Sequence, residues 1–393
     1  MTAPSLDQEP LLEVTEALVE AGGKALLECI ACGTCTGVCP WGLVREHSVR
    51  RIVRQAALGL EGFEPLSWLC LTCRACVDRC PQQIDLTAVM QSMRAVAAEM
   101  GGLPPGVSAA VGSLSAAGNP WGGDEADRAR WTEKLDLPVV EGEAGLIYFN
   151  CCTTAYDARA QRVAAAAVTL LHRAGEDVAL VADGGEVCCG DLALRAGRSD
   201  LAEQLAAKNA STIERAGGTP VVTLSPHCRQ AFNGWYGELG VKMPPTRHVV
   251  EVLAERQDEG RLELDGSFEV RVAYHDPCYL GRHAGVFEPP RALLRAVPGL
   301  ELVELRRNRS HALCCGGGGG GAFRETAQQE RHALIRIDEA IEAGAEVVAT
   351  ACPLCLLMLE DAVRVKNLEG KLRVLDVCEI VLAATEGPKE SGS

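Results

Sequence analysis

Apolar residues recur at helical intervals along the first hundred positions. Leu11, Leu12 and Leu18, then the stretch from Val44 to Leu60, then Asp85 to Met100 each gather large side chains on one face, as in helices that bury one side. The second of these is basic elsewhere, through Arg45, Arg50, Arg51 and Arg54. Gly101-Gly102 stops the third, because glycine favours the left-handed turn that ends a helix. Residues 101–142 lose the period and collect Gly, Pro, Ala and Ser. Pro104-Pro105-Gly106 and Asn119-Pro120-Trp121-Gly122 are turn signals, so the segment reads as a linker. From residue 143 the texture changes. Short apolar runs at 146–149, 178–181 and 219–224 alternate with amphipathic stretches such as the Ala-rich 157–174, which Gly175 closes. Strand, helix and strand in succession imply a parallel sheet covered by helices.

That rhythm occurs twice. Cys152, Cys188-Cys189-Gly190, Ser225-Pro226-His227-Cys228 and Glu251 return about 126 to 128 residues later. Their counterparts are Cys278, Cys314-Cys315-Gly316, Cys352-Pro353-Leu354-Cys355 and Glu379. The step from first cysteine to pair is the same in both copies, which marks a tandem duplication. The expected fold class is α + α/β. A helical domain spans 1–100, a linker 101–142, a first α/β module 143–260 and a second 261–393.

At 393 residues the chain is long enough for two or three domains with their own cores. Its net charge of −15 argues against nucleic acid as a ligand. The longest apolar stretch, 347–359, is interrupted by Pro353 and too short to span a bilayer, so no direct membrane insertion is expected. Residues 1–10 carry Asp7 and Glu9 and no apolar core, unlike a signal peptide. The expected location is cytoplasmic, or peripheral on the cytoplasmic face of a membrane through a partner. Nineteen cysteines, an odd count mostly in clustered runs, fit metal ligation in a reducing compartment better than a disulfide framework.

Two N-terminal runs carry the sharpest signal: Cys29-x-x-Cys32-x-x-Cys35-x-x-x-Cys39-Pro40 and Cys70-x-x-Cys73-x-x-Cys76-x-x-x-Cys80-Pro81. Zinc sites use pairs of CxxC rather than a triple followed by CxxxCP, and disulfides belong to small secreted chains. Each run resembles that of the bacterial ferredoxins, in which three thiolates hold one cluster and the fourth reaches the other. The resemblance implies two [4Fe-4S] cubane clusters. Cys29, Cys32, Cys35 and Cys80 would hold one, and Cys70, Cys73, Cys76 and Cys39 the other.

In the second module Cys278, Cys314, Cys315, Cys352 and Cys355 fall where strands meet helices, which is where open parallel sheets gather ligands. Five soft thiolates exceed the need of a tetrahedral zinc and suit an iron–sulfur cluster. The run Gly316–Gly321 lets backbone N–H groups approach cluster sulfurs. Read instead as a nucleotide loop, it lacks the downstream context of one. His275 and Asp276 flank a ligand and are candidates for proton donation or for a hydrogen bond to a ligand. A satisfied structural histidine is the plainer alternative. His227 and His311 are weaker candidates of the same kind, and Cys378 reads as a buried structural thiol. Trp68 and Trp121 are expected to pack near the ferredoxin clusters.

Tyr274-His275-Asp276-Pro277-Cys278, Cys314-Cys315-Gly316 and Cys352-Pro353-Leu354-Cys355 resemble the repeated Cys-Cys-Gly modules of the heterodisulfide reductase family. The N-terminal part, notably Cys32-Gly33-Thr34-Cys35 and Trp68-Leu69-Cys70, is similar to that enzyme's small ferredoxin subunit, as if the two were fused. The resemblance implies a non-cubane [4Fe-4S] cluster on the five C-terminal cysteines, with His275 beside it. It also implies an electron-transfer oxidoreductase subunit that reduces or forms a disulfide, with a thiol or disulfide substrate and a flavoprotein or membrane cytochrome as partner. An alternative is a non-catalytic electron conduit in an organic-acid dehydrogenase, or in an electron-bifurcating complex feeding a low-potential reductase. The first module departs from the pattern. Ser225 stands in place of a cysteine, leaving Cys152, Cys188, Cys189 and Cys228, and Cys151, where the family has glycine, is a candidate fifth thiolate. A four-cysteine cluster, an oxygen-ligated one and a module without a cluster all remain open.

Overall fold

The computed structural model describes residues 10–135, 145–181 and 185–385. The reading of residues 1–9 and the end of the expected linker, 136–142, lie outside them.

The N-terminal region is helical and packs around Leu18, Ile52, Val53, Phe63, Val89 and Met93. Its longest helix, Leu86–Glu99, starts at Asp85, whose carboxylate accepts hydrogen bonds from the N–H groups of Thr87 (2.8 Å) and Ala88 (3.1 Å). An N-cap of this type satisfies donors that the first turn leaves free. In the amphipathic stretch at 44–60, Val49–Ala57 is helical and buries Ile52, Val53 and Ala56.

The expected linker contains a 13-residue helix, Pro105–Ala117. Pro105 sits in the first turn, where its missing N–H has no partner to lose, so the signal read as a turn is a helix start. The helix buries Val107, Ala110, Val111 and Leu114, mostly against the core of the first module.

Two parallel four-stranded sheets follow. β1 (Leu146–Phe149), β2 (Val178–Leu180), β3 (Val221–Thr223) and β4 (Thr246–His248) lie in the order 2-1-3-4. β5 (Arg271–His275), β6 (Glu301–Glu304), β7 (Val347–Thr350) and β8 (Arg373–Asp376) repeat that order as 6-5-7-8, with every pairing parallel. The two modules share one core. Helix Ala158–Arg173 of the first packs on Val377–Thr385 of the second, and Val249–Asp258 packs on Glu288–Ala296. Arg159 crosses the boundary to pair with Glu360 at 2.6 Å and Glu379 at 2.7 Å. The repeated acids Glu251 and Glu379 do the same local work: each accepts a backbone N–H at the start of its helix, from His248 (2.7 Å) and Asp376 (2.9 Å).

One side chain joins all three parts. Arg94, fully buried on helix Leu86–Glu99, donates to the carbonyls of Ser67, Cys70, Arg195 and Gly319 and lies over the Trp68 ring. Burial lowers its pKa to about 10, so it stays charged at neutral pH. Replacing Arg94 by Met strands those carbonyls. The variant is expected to lose on the order of 3 kcal/mol, measured as a lower midpoint of anaerobic urea unfolding.

Candidate metal centres

Both N-terminal cysteine loops share one backbone form. Ala31 (φ 55°) and Thr72 (φ 50°) occupy matching positions, as do Gly33 (φ 86°) and Arg74 (φ 60°). Non-glycine residues held at positive φ cost free energy and mark sites where the surroundings impose the shape. The same form aims the N–H of Ala31 at Cys29 Sγ and that of Thr72 at Cys70 Sγ, each at 3.4 Å. Cys29, Cys32, Cys35 and Cys80 line one pocket of about 360 Å³. Cys39, Cys70, Cys73 and Cys76 line another of about 480 Å³. The fourth cysteine of each run thus sits with the other run's first three. The first pocket lies near the surface, with Cys32 exposed and Ile30 60% exposed. The second is covered, and burial pushes the Cys39 and Cys76 thiols well above their ordinary pKa.

Cys73 packs in one buried group with Cys278, Cys314, Trp41, Leu71 and Tyr279. The segment after Cys278 grips the second ferredoxin loop. Arg282 donates to Cys73 O at 2.5 Å, His283 bonds Thr72 O at 2.8 Å, and Tyr279 Oη meets Thr72 Oγ1 at 2.9 Å. Tyr279 is also stacked between His227 (3.7 Å) and His283 (4.0 Å), and its hydroxyl reaches Asp191 at 3.3 Å. His227 belongs to the first module and contacts Asp191 through Nδ1 at 2.9 Å. Burial opposes ionisation of Asp191, but the His227 hydrogen bond and Arg195 outweigh it and hold the carboxyl at about 2.

In the second module every candidate ligand follows the carboxyl end of a strand: Cys278 after β5, Cys314 and Cys315 after β6, Cys352 and Cys355 after β7. Cys278 and Cys314 lie 3.9 Å apart at sulfur, and Cys315 and Cys355 lie 3.3 Å apart. Cys352 packs with the latter two. Gly316 N–H points at Cys314 Sγ at 3.4 Å. The hydrogen bond from Cys355 pulls Cys352 down to about 7, while Cys278, Cys315 and Cys355 are held well above the usual thiol range by their neighbours and by burial. Five thiolates cannot share this volume without a compensating cation. The donor set fits a cluster of several irons, for which adjacent cysteines can hold different metal atoms.

His275 is fully buried, with a ring nitrogen within 4.8 Å of the Cys315 and Cys355 sulfurs. Burial and the nearby Arg336 guanidinium keep it neutral. Arg336 donates to Nδ1 at 3.1 Å, so the proton sits on Nε2, which has no other partner among the described residues. The geometry suits an N–H donor to sulfur rather than a proton source. Asp276 is engaged elsewhere, in a two-pronged pair with Arg291 at 2.7 and 2.9 Å. His311 bonds the Arg79 side chain at 2.8 Å, and Cys378 lies in the shared core.

Part of the glycine run has a further job that its sequence did not suggest. A Cβ at Gly318 would stand 2.5 Å from Leu71 O, and one at Gly319 would stand 2.4 Å from Cys70 O. Gly318 and Gly319 thus allow the second module to close on the ferredoxin loop, whereas Gly316 and Gly317 turn their N–H groups toward Cys314 and Cys315. Trp121 is likewise displaced from its expected place. It lines the pockets of the two modules and lies 5.4 Å from Phe323, because the helix 105–117 carries it there. Trp68 does border the second ferredoxin loop, beneath Arg94.

Cys151, Cys152, Cys188, Cys189, Ser225 and Cys228 line a pocket of about 670 Å³ in the first module. A further pocket of about 930 Å³ opens against Cys315, walled by Trp41, Leu354 and Met358. Arg324 also lines it, over the Trp41 ring, with no ion-pair partner among the described residues. Sequence reasoning missed Arg282, Arg324 and Tyr279. Only the position of Tyr279 beside a ligand cysteine could have signalled one of them.

Residues 146–233 and 272–360 match a cysteine-rich domain family, and 28–84 match a 4Fe-4S dicluster domain. The chain is 31% identical over 331 residues to a component of the dihydromethanophenazine:CoB–CoM heterodisulfide reductase of Methanosarcina acetivorans, covering 83% of this chain and 79% of that protein. It is 32% identical over 330 residues to the probable iron-sulfur-binding oxidoreductase FadF of Bacillus subtilis, covering 81% and 46%. It is 30% identical over 334 residues to the EtfAB:quinone oxidoreductase of Syntrophomonas wolfei, again covering 81% and 46%. The chain therefore spans about half the length of these last two. No helix among the described residues is long and apolar enough to cross a membrane.

Gly319→Ala forces a side chain onto Cys70 O at a backbone of φ 59°. It is expected to cost roughly 2–4 kcal/mol and to lower iron retention at the second ferredoxin site. Gly112→Ala, on the helix 105–117 with nothing within 4 Å, should be neutral or stabilising by up to about 1 kcal/mol. Urea unfolding and iron content of the two variants test the difference.

Proposed function

The chain belongs to the heterodisulfide reductase family, and from that premise we propose that it is an iron–sulfur electron-transfer oxidoreductase subunit that reduces or forms a disulfide at its second Cys-Cys-Gly module. The observation that carries the reading is the continuity of its thiol sites. An exposed site contains Cys32, a covered one contains Cys73, and Cys73 packs directly with Cys278 and Cys314. In this reading Cys29, Cys32, Cys35 and Cys80 hold one cubane cluster, and Cys39, Cys70, Cys73 and Cys76 hold the second. Cys278, Cys314, Cys315, Cys352 and Cys355 hold a non-cubane one. Bound there, the clusters supply one-electron carriers and, at the last site, iron open to a substrate sulfur.

The protein's own residues prepare those sites. Backbone N–H groups aimed at Cys29, Cys70 and Cys314, with Arg282 buried beside Cys73, Cys278 and Cys314, favour the thiolate form. His275 keeps a neutral Nε2–H, unpartnered among the described residues, in the buried group that contains Cys315 and Cys355. Trp41, Leu71 and Tyr279 keep water from the junction. The 930 Å³ pocket gives a thiol or disulfide access to Cys315, with an apolar wall and the Arg324 guanidinium. Electrons enter or leave through a partner, a flavoprotein or a membrane cytochrome, that docks over Ile30 and Arg50 at the exposed site. A second reading, a conduit without chemistry in an organic-acid dehydrogenase or an electron-bifurcating complex, draws on Ser225, which breaks the ligand pattern of the first module.

Oxidised protein loaded with iron under anaerobic conditions is expected to develop a paramagnetic signal on addition of a thiol, and Cys355→Ser to abolish it. Fully loaded protein without a thiol-dependent signal would favour the conduit. Ile30→Glu is expected to slow electron exchange with the partner about tenfold at unchanged iron content, read by stopped-flow absorbance.

A further inference from the structure

The two modules share a topology but differ at two ligand-bearing positions. Where the second has Cys352, the first has Ser225; where the second has Pro277, the first has Cys151. Ser225 already has a structural task. Its hydroxyl accepts the Cys228 N–H at 3.5 Å and caps the helix Pro226–Gln230, a role that serine performs without any metal. A neutral hydroxyl is also a poorer partner for iron in a sulfur-rich site than a thiolate.

Cys151 has the opposite character. It is buried and forms no disulfide, and among the described residues its sulfur meets only Thr154, through the hydroxyl at 3.3 Å and the backbone N–H. That hydroxyl is already bonded to Asn150 Oδ1 at 2.7 Å. Cys151 lines the same pocket as Cys152, Cys188, Cys189 and Cys228. Gly190 N–H points at Cys188 Sγ at 3.5 Å, the counterpart of the Gly316 contact with Cys314. A buried guanidinium, that of Arg128, donates to Cys152 Sγ at 3.6 Å and is held by Asn150 O at 2.6 Å. Arg282 occupies a similar place beside Cys278. A cation against the first thiol is therefore built into both modules, although only the second keeps the full run of cysteines.

We propose that the first module also holds an iron–sulfur cluster, bound by the adjacent pairs Cys151-Cys152 and Cys188-Cys189 together with Cys228, with Cys151 taking over the ligand role lost at Ser225. The proposal rests on the reading of Cys-Cys-Gly modules as cluster sites. Two neighbouring thiols on one loop cannot close comfortably on a single iron, so each pair spans two irons, and Cys228 completes a set of five. Loss at one corner of the pocket and gain at another leave each module with five thiols.

The test uses the full chain, prepared and reconstituted anaerobically, with iron and acid-labile sulfide counted per chain and Mössbauer spectra recorded. Cys151→Ser is expected to lose one cluster's share, about a quarter of the iron if four sites are filled, and Cys228→Ser the same share. The ferredoxin-type spectral components should persist in both. Adding Ser225→Cys to the Cys151→Ser variant should restore the lost iron and its spectral component. The proposal is overturned if Cys151→Ser keeps all its iron while Cys228→Ser does not, or if both keep it. It is overturned equally if Ser225→Cys fails to restore what Cys151→Ser loses, since Cys151 would then matter only for packing. Wild-type protein without ferredoxin-type iron would defeat the underlying cluster reading instead, a result distinct from all of these.

Discussion

The Arg94 guanidinium ties the second ferredoxin loop to both modules. It is buried in all three parts of the chain at once, and its hydrogen bonds end on backbone carbonyls rather than carboxylates. Carbonyl partners fix main-chain positions, so the loop of Cys70, the first module at Arg195 and the glycine run at Gly319 are located against one rigid fork. The packing of Cys73 with Cys278 and Cys314 follows from that arrangement. Arg282 and His283 then hold the same loop from the other side.

Duplication supplied the rest of the framework. Both sheets put their cysteines at the carboxyl ends of parallel strands, where the crossing connections leave a crevice. Both use an acid at the start of the last helix to cap it, but only Glu379 also reaches across to the other module through Arg159. The copies have diverged where they meet the ferredoxin region. The second module offers Cys278, Tyr279 and the glycine run to it, whereas the first offers the carbonyl of Arg195 and the Asp191–His227 pair that borders Tyr279.

Much of this was legible in the residues. Strand runs such as 146–149 and the helix expected from Asp85 to Met100 are local features, decided by neighbours in sequence, and they stand where the pattern put them. The turn signal at 104–106 was misread because Pro105 carries two meanings, turn or helix start, and only burial of Val107 and Leu114 distinguishes them. Sequence cannot show what a bare backbone approaches: Gly316 turns its N–H to Cys314 as its position suggested, but Gly318 and Gly319 meet the Leu71 and Cys70 carbonyls. Arg94 and Tyr279 were not legible as keystones, since their partners include segments far away along the chain. His275 was singled out by its place just before Cys278, but its tautomer required Arg336.

The covering of the second ferredoxin loop has a consequence for biogenesis. Gly318, Gly319, Arg282 and Tyr279 close over Cys70 to Cys73 so tightly that a methyl group would not fit beneath them. On the cluster assignment proposed above, the loop of Cys70 to Cys73 would have to be filled before the C-terminal half closes on it, whereas the site around the exposed Cys32 would stay accessible in the folded chain. That assignment would give maturation an order, with the inner site first and the outer site replaceable.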